Sequence, residues 1–69
     1  MKRYPLIACR VALDKTQAQV AQDLHLSEVY IRKIEAGDKK PGRETIIKFA
    51  RYYQRPAHEL FPDIFQDML

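Results

Sequence analysis

Residues 16–37 read TQAQVAQDLHLSEVYIRKIEAG, and this stretch decides the fold. Thr16 is followed three residues later by Gln19, which is a capping box and marks the start of a helix. Apolar residues then recur at the spacing of one helical face, at Val20, Ala21 and Leu24. His25 stands where such a helix ends in a left-handed residue, a backbone region that histidine tolerates better than most residues. The pattern predicts a helix of about two turns.

A second helix begins directly after a turn of about three residues. Ser27 is a good N-cap, and Leu26 and Ile31 on either side of it are spaced as a hydrophobic staple. Ile31 and Ile34 point inward on this helix. The outer face keeps Glu28, Val29, Arg32 and Lys33, of which two are basic. Two capped helices, a tight turn and a basic outer face on the second helix describe a helix-turn-helix.

The motif extends into an ordered set of residues that covers most of the chain. Its members are Arg10, Thr16, Gln17, Ala21, Leu24, Ile31, Ile34, Glu35, Gly37, Pro41, Ala50, Leu60 and Phe61. This set resembles the phage Cro and repressor type of helix-turn-helix domain, also called XRE-like. The resemblance spans residues 10–61. It implies an all-α, compact five-helix, lambda-repressor-like bundle that binds double-stranded DNA and regulates transcription, and a prokaryotic origin in a phage or mobile element.

Three further helices complete the predicted bundle. A first helix is expected over residues 6–13, with Leu6, Cys9 or Arg10, and Leu13 on one face. A fourth is expected over 43–54 with Gly42 as its N-cap, and its inner stripe is Ile46, Ile47, Phe49, Ala50 and Tyr53. A short fifth helix fits residues 56–61, with Pro56 near its first turn. The predicted organisation is therefore a DNA-binding domain over 1–61 and a tail over 62–69.

The tail is more apolar than a free chain end should be. Pro62 is expected to break the helix, and apolar residues then recur at Ile64, Phe65, Met68 and Leu69. Such a segment either folds back on its own core or meets the same surface of a second copy. We favour the dimer contact.

Composition narrows the class of protein. The 69 residues suffice for one domain, and no stretch approaches the ~18–20 apolar residues of a membrane span. Residues 1–55 carry all twelve Lys and Arg with six acids, a balance of +6, whereas residues 56–69 carry a balance of −3. A basic body indicates a polyanionic partner. Arg10 interrupts the short apolar N-terminus, so a signal peptide is not expected there. Cys9 is the one cysteine, so we expect no internal disulfide, and no metal ligands are spaced to join it. A cytoplasmic protein is expected.

The second helix of the motif, which follows Ser27, is the recognition helix. Residues at its start are expected to contact base edges in the major groove. They are Ser27, Glu28, Val29, Arg32 and Lys33. Arg32 can bond guanine bidentately, Glu28 can accept from cytosine N4, and Val29 can contact a thymine methyl group. Alternatives remain open: Glu28 is also favoured at a helix start by the dipole, and Lys33 can bind a phosphate instead of a base.

Phosphate contacts are expected from residues around the motif. The resemblance implies that Gln17 binds a phosphate at the start of the first motif helix, where free amides assist. Lys39, Lys40 and Arg43 follow the recognition helix where the neighbouring phosphates run. Tyr30 either covers the edge of the core or reaches a phosphate. The resemblance also implies a structural ion pair between Arg10 and Glu35.

The sequence contains no pattern typical of an enzyme. His25 and His58 have no carboxylate or cysteine at catalytic or metal-binding spacing, and there is no glycine-rich phosphate loop, so no metal and no cofactor are expected. We expect a sequence-specific regulator, acting as a repressor and as a homodimer on a near-palindromic operator. Alternatives are an antitoxin that binds its own promoter and a toxin, or a protein-interaction module on the same fold.

Overall fold

Helices make up nearly all of the part of the chain that the computed structural model describes, residues 1–66. They are α1 (Tyr4–Ala12), α2 (Gln17–Leu24), α3 (Glu28–Ala36), α4 (Arg43–Tyr53), α5 (Ala57–Leu60) and α6 (Pro62–Phe65). Within these residues there is no strand. The predicted all-α architecture is confirmed, with a sixth helix of one turn beyond the five expected.

The caps of α2 and α3 form as the sequence predicts. The Thr16 hydroxyl accepts from the Gln19 amide at 3.1 Å, and the Thr16 amide donates to the Gln19 side chain at 2.8 Å. His25 ends α2 in the left-handed region at φ 58°. The Ser27 hydroxyl then accepts from the Tyr30 amide at 3.0 Å. These local bonds fix where both helices begin.

One apolar core joins α1 to α5 and the residue that follows it. The buried members are Leu6, Val20, Ala21, Leu24, Ile31, Ile34, Ile46, Phe49, Tyr53, Leu60 and Phe61. Phe49 lies at its centre, with ring centroids 5.9 Å from Phe61 and 6.1 Å from Tyr53. Packing rather than helix propensity stabilises helices this short.

Two apolar side chains lie elsewhere than predicted. Helix α1 begins at Tyr4 and ends at Ala12, so Leu13 is its C-cap and is exposed instead of sharing the inner face. Ile47 is also exposed, at 37 %. It is one residue past Ile46, and a step of about 100° carries it to the rim of the inner face. The inner stripe of α4 is therefore narrower than predicted.

Arg3 anchors the N-terminal segment inside the structure. Its side chain is buried, and its amide donates to the carbonyl of Glu35 at 2.8 Å. The guanidinium donates to the carbonyls of Ile34 (2.6 Å) and Lys39 (2.8 Å) and to both carboxylate oxygens of Asp63. One side chain thus joins the end of α3, the loop after it and α6. No sequence pattern had singled out Arg3.

The tail folds back on the body as far as the structure describes it. Helix α5 ends at Leu60, ahead of Pro62, as predicted, but Pro62 also begins α6, since its missing amide has no helical partner there anyway. Ile64 and Phe65 are half-buried against the core. Met68 and Leu69, expected as dimer contacts, lie outside the described residues. For residues 62–65 the structure therefore shows the fold-back alternative within one copy.

Candidate nucleic-acid interface

The outer face of α3 presents side chains that take no part in the core. Ile31 and Ile34 are buried, while Glu28, Arg32 and Lys33 are exposed. Val29 is half-exposed, at 50 %, although it is apolar. A helix with one buried stripe and one free polar stripe can enter a groove without disturbing the core. All four of these predicted base-contact residues lie on this face.

Ser27 and Tyr30 are partly engaged by the protein itself. The Ser27 hydroxyl oxygen caps α3, which leaves its hydrogen free to donate. Tyr30 is half-buried and packs against the core, so the core contact that was one of its two alternatives is present. Contact of its hydroxyl with a phosphate stays a prediction.

A basic loop follows α3 and is held at both ends. Gly37 ends the helix at φ 84°, and the Asp38 amide donates to the Lys33 carbonyl at 2.9 Å. Pro41 is buried, and the carbonyl of Lys39 is bonded by Arg3. Exposed side chains remain on Lys39, Lys40 and Arg43. The backbone of the loop is thus held in place, and no ion pair among residues 1–66 involves these three cations.

Arg10 and Glu35 make a two-pronged ion pair beneath the motif. Arg10 Nε lies 2.8 Å from Glu35 Oε2, and Nη2 lies 3.2 Å from Oε1. Glu35 is only 2 % exposed. Its hydrogen bond is the largest cause that raises the pKa of Arg10, so the guanidinium stays charged. Arg10 also donates to the carbonyl of Lys15 at 2.9 Å, which ties α1 to the start of the motif.

Gln17 joins this ion pair, which the sequence did not lead us to expect. Its side-chain amide donates to Glu35 Oε1 at 2.9 Å. The backbone amides of the first turn of α2 still have no acceptor within the helix. A phosphate at this point can be bound by those amides, and the Gln17 side-chain NH2 keeps a second hydrogen besides the one donated to Glu35. The contact between Gln17 and phosphate therefore stays a prediction.

A shallow groove runs between α1 and the recognition helix. Its lining includes Lys2, Ile7, Arg10, Gln17 and Arg32. Lys2 is exposed and adds a cation beside Arg32. Sequence reasoning missed Lys2, because no periodicity or cap indicates where an N-terminal segment will lie. The only available signal was its positive charge.

The described residues offer few other kinds of site. Among residues 1–66, no group of three or more His, Cys, Asp or Glu is placed to hold a metal ion. None of the helices described is long and apolar enough to cross a membrane.

The sequence that forms the exposed helix α3 matches a known protein family. A family model described as Helix-turn-helix (HTH_3) matches residues 6–60. No curated protein and no solved structure matches the chain. The family match covers well over half of the chain, from within α1 to the end of α5. The chain therefore belongs to the HTH_3 helix-turn-helix family, the XRE type of DNA-binding transcription regulator.

Proposed function

We propose that this protein is a sequence-specific regulator that binds an operator in double-stranded DNA as a dimer and represses transcription by occupying it. One observation carries the proposal. Five exposed cations, on Arg32, Lys33, Lys39, Lys40 and Arg43, extend from α3 through the loop to the start of α4. From Glu28 to Arg43, the exposed acidic residues are Glu28 and Asp38. A cluster of positive charges complements the negatively charged phosphate backbone of DNA.

Direct reading of bases is assigned to the outer face of α3. Arg32 can donate two hydrogen bonds to guanine O6 and N7, and the exposed apolar surface of Val29 suits a thymine methyl group. Glu28 can accept from cytosine N4, and Ser27 can donate or accept at the helix start. Lys33 reaches either a base or the nearest phosphate. None of these five side chains is buried.

We assign the positioning of the protein on the DNA duplex to its phosphate contacts. Lys39, Lys40 and Arg43 are the principal candidates, since all three are exposed and none takes part in an ion pair within the described part of the chain. Gln17 and Tyr30 are secondary candidates because each is partly engaged by the protein. Such contacts set affinity and register but carry no sequence information directly.

A dimer is proposed because one domain of this size has a single recognition helix. Two copies related by a two-fold axis read half-sites about 10 bp apart on one face of DNA. The predicted dimer contact is the tail, Ile64, Phe65, Met68 and Leu69. Ile64 and Phe65 already place part of their surface against their own core, so less of it is available to a second copy.

Salt dependence tests the phosphate assignment. Replacing Lys39, Lys40 and Arg43 together by alanine should reduce the slope of log K against log salt by ~0.9 for each phosphate that is no longer neutralised, hence by up to ~2.7. The measurement is a fluorescence titration of a labelled duplex between ~50 and ~200 mM salt, the range over which the effect of phosphate binding is most visible.

The matched control is Arg51→Ala, which removes an exposed cation from the last turn of α4. Its slope should equal that of the unaltered protein. A triple variant with an unchanged slope would remove these three residues from the interface. Absence of binding to any duplex would instead favour a protein partner.

A further inference from the structure

Helix α1 has an outer face without a charged side chain. Between Tyr4 and Leu13 the one charged residue is Arg10, and its guanidinium is turned inward to Glu35. The side chains of Ala8 and Ala12 are exposed, as are the larger Tyr4, at 66 %, and Val11, at 61 %. A surface helix normally carries charges on the face opposite the core.

This apolar face is separate from the proposed DNA surface. Ile7 and Arg10 line the groove toward α3, together with Arg32. Ala8 and Ala12 line a different groove on the other side of α1, together with Arg55 and Glu59 beside α5. Since these two grooves lie on different sides of one helix, contact with DNA through α3 does not cover the apolar face.

The groove beside α5 carries charges of both signs. Arg55 and Glu59 are both exposed, and neither takes part in an ion pair among residues 1–66. A two-fold interface brings the same patch together from both sides, so any charges within the patch must include both signs to be self-complementary. The two alanines on α1, at Ala8 and Ala12, allow two helix axes to approach closely, at about the short end of the usual 8–10 Å.

We propose that the outer face of α1 and the groove beside α5 form a self-association surface for a second copy of this chain. The two α1 helices lie antiparallel, and Arg55 of each copy faces Glu59 of the other. The surface is small, so association is weak, with a Kd on the order of 0.1–1 mM. It leaves α3 and the basic loop uncovered. This contact is separate from the proposed operator binding, so it can be measured in the absence of DNA.

The test is sedimentation equilibrium of the full chain, without DNA, at concentrations up to ~1 mM. The unaltered protein should show a monomer–dimer equilibrium. Ala8→Glu should weaken it at least ~100-fold, because it places like charges in a desolvated contact. Ala8 is exposed and glutamate is a good helix former, so the helical circular dichroism should be unchanged.

Two further sets of variants separate this contact from others. Ile47→Glu places the same charge on an exposed apolar position of α4 and should leave the dimer intact. Arg55→Glu should weaken association ~10-fold, and the double change Arg55→Glu with Glu59→Arg should restore it. A protein that stays monomeric at ~1 mM would overturn the proposal. So would a dimer that survives Ala8→Glu but is abolished by Phe65→Glu, since the tail would then be the interface.

Discussion

Gly37 shows how one backbone position controls the interface. It ends α3 in the left-handed region at φ 84°, where L side chains are strained. A Cβ placed there would lie 1.9 Å from the carbonyl oxygen of Met1. The N-terminal segment therefore crosses the end of the recognition helix where only glycine leaves room. Both the helix end and the start of the basic loop depend on this residue.

Gly37→Ala should lower the free energy of unfolding by at least ~1–2 kcal/mol, from the left-handed strain alone. Urea denaturation followed by circular dichroism measures it. Gly42→Ser is the matched control: Gly42 is the N-cap of α4 and has open space around it, so serine should stabilise by a few tenths of a kcal/mol, about the usual gain at an N-cap. A neutral Gly37→Ala would contradict both the left-handed conformation of Gly37 and the packing of Met1 against it.

Among residues 1–66, positive φ angles also occur at three non-glycine residues, Asp14, His25 and Gln54. Gln54 is exposed and caps α4 at φ 54°, so its side chain contributes strain and little packing. Gln54→Gly should raise the free energy of unfolding by ~0.5–1 kcal/mol, because removal of that strain exceeds the entropic cost of glycine. Thermal denaturation tests this. Gln22→Gly, the same change inside α2, should instead destabilise by about 1 kcal/mol. A loss of stability from both changes would contradict the account.

At the scale of the element, what could be predicted from sequence depends on the range of the interaction. The capping box at Thr16, the left-handed His25 and the Ser27 cap were predictable because each involves residues three or four apart. The contacts of Arg3 were not, since Asp63 is sixty positions away and no periodicity joins them. The end of α5 before Pro62 was predictable from local rules, but α6 was not, because a proline that ends one helix also permits another to start.

The residues of the candidate DNA-binding site also differ in how far the sequence could predict their positions. The exposed face of α3 follows from helical periodicity, so its residues lie where they were predicted. The bond from Gln17 to Glu35 depends on how α2 packs against the end of α3, which the sequence does not specify. Lys2 reaches the interface only because Arg3 holds the N-terminal segment in place.

Arg3→Met should lower the free energy of unfolding by ~2–4 kcal/mol, because carbonyls of Ile34 and Lys39 lose their donor in a poorly solvated place. Hydrogen exchange should show the reduced protection concentrated in α6 and the loop after α3. Lys2→Met is the control: Lys2 is the exposed neighbour, and its replacement should change stability by less than ~0.5 kcal/mol. Equal destabilisation by the two variants would show that Arg3 has no special role.

At the scale of the whole molecule, the described residues form a body of about 32 × 22 × 21 Å with two distinct surfaces. One combines the outer face of α3 with the basic loop and suits DNA. The other is the uncharged face of α1 with the groove beside α5. Because different sides of α1 face these two surfaces, a copy bound to DNA can still contact another copy.

Sequence-specific binding by α3 is the central claim, and selection from a pool of random duplexes tests it most directly. At ~150 mM salt, where nonspecific phosphate binding is weakened, the protein should enrich one sequence, arranged as an inverted repeat if it binds as a dimer. Arg32→Ala should enrich the same sequence with discrimination relaxed at one base pair of each half-site, by ~1–3 kcal/mol. Binding without any enrichment, or an identical preference in Arg32→Ala, would contradict the assignment of Arg32 on α3 as a reader of bases.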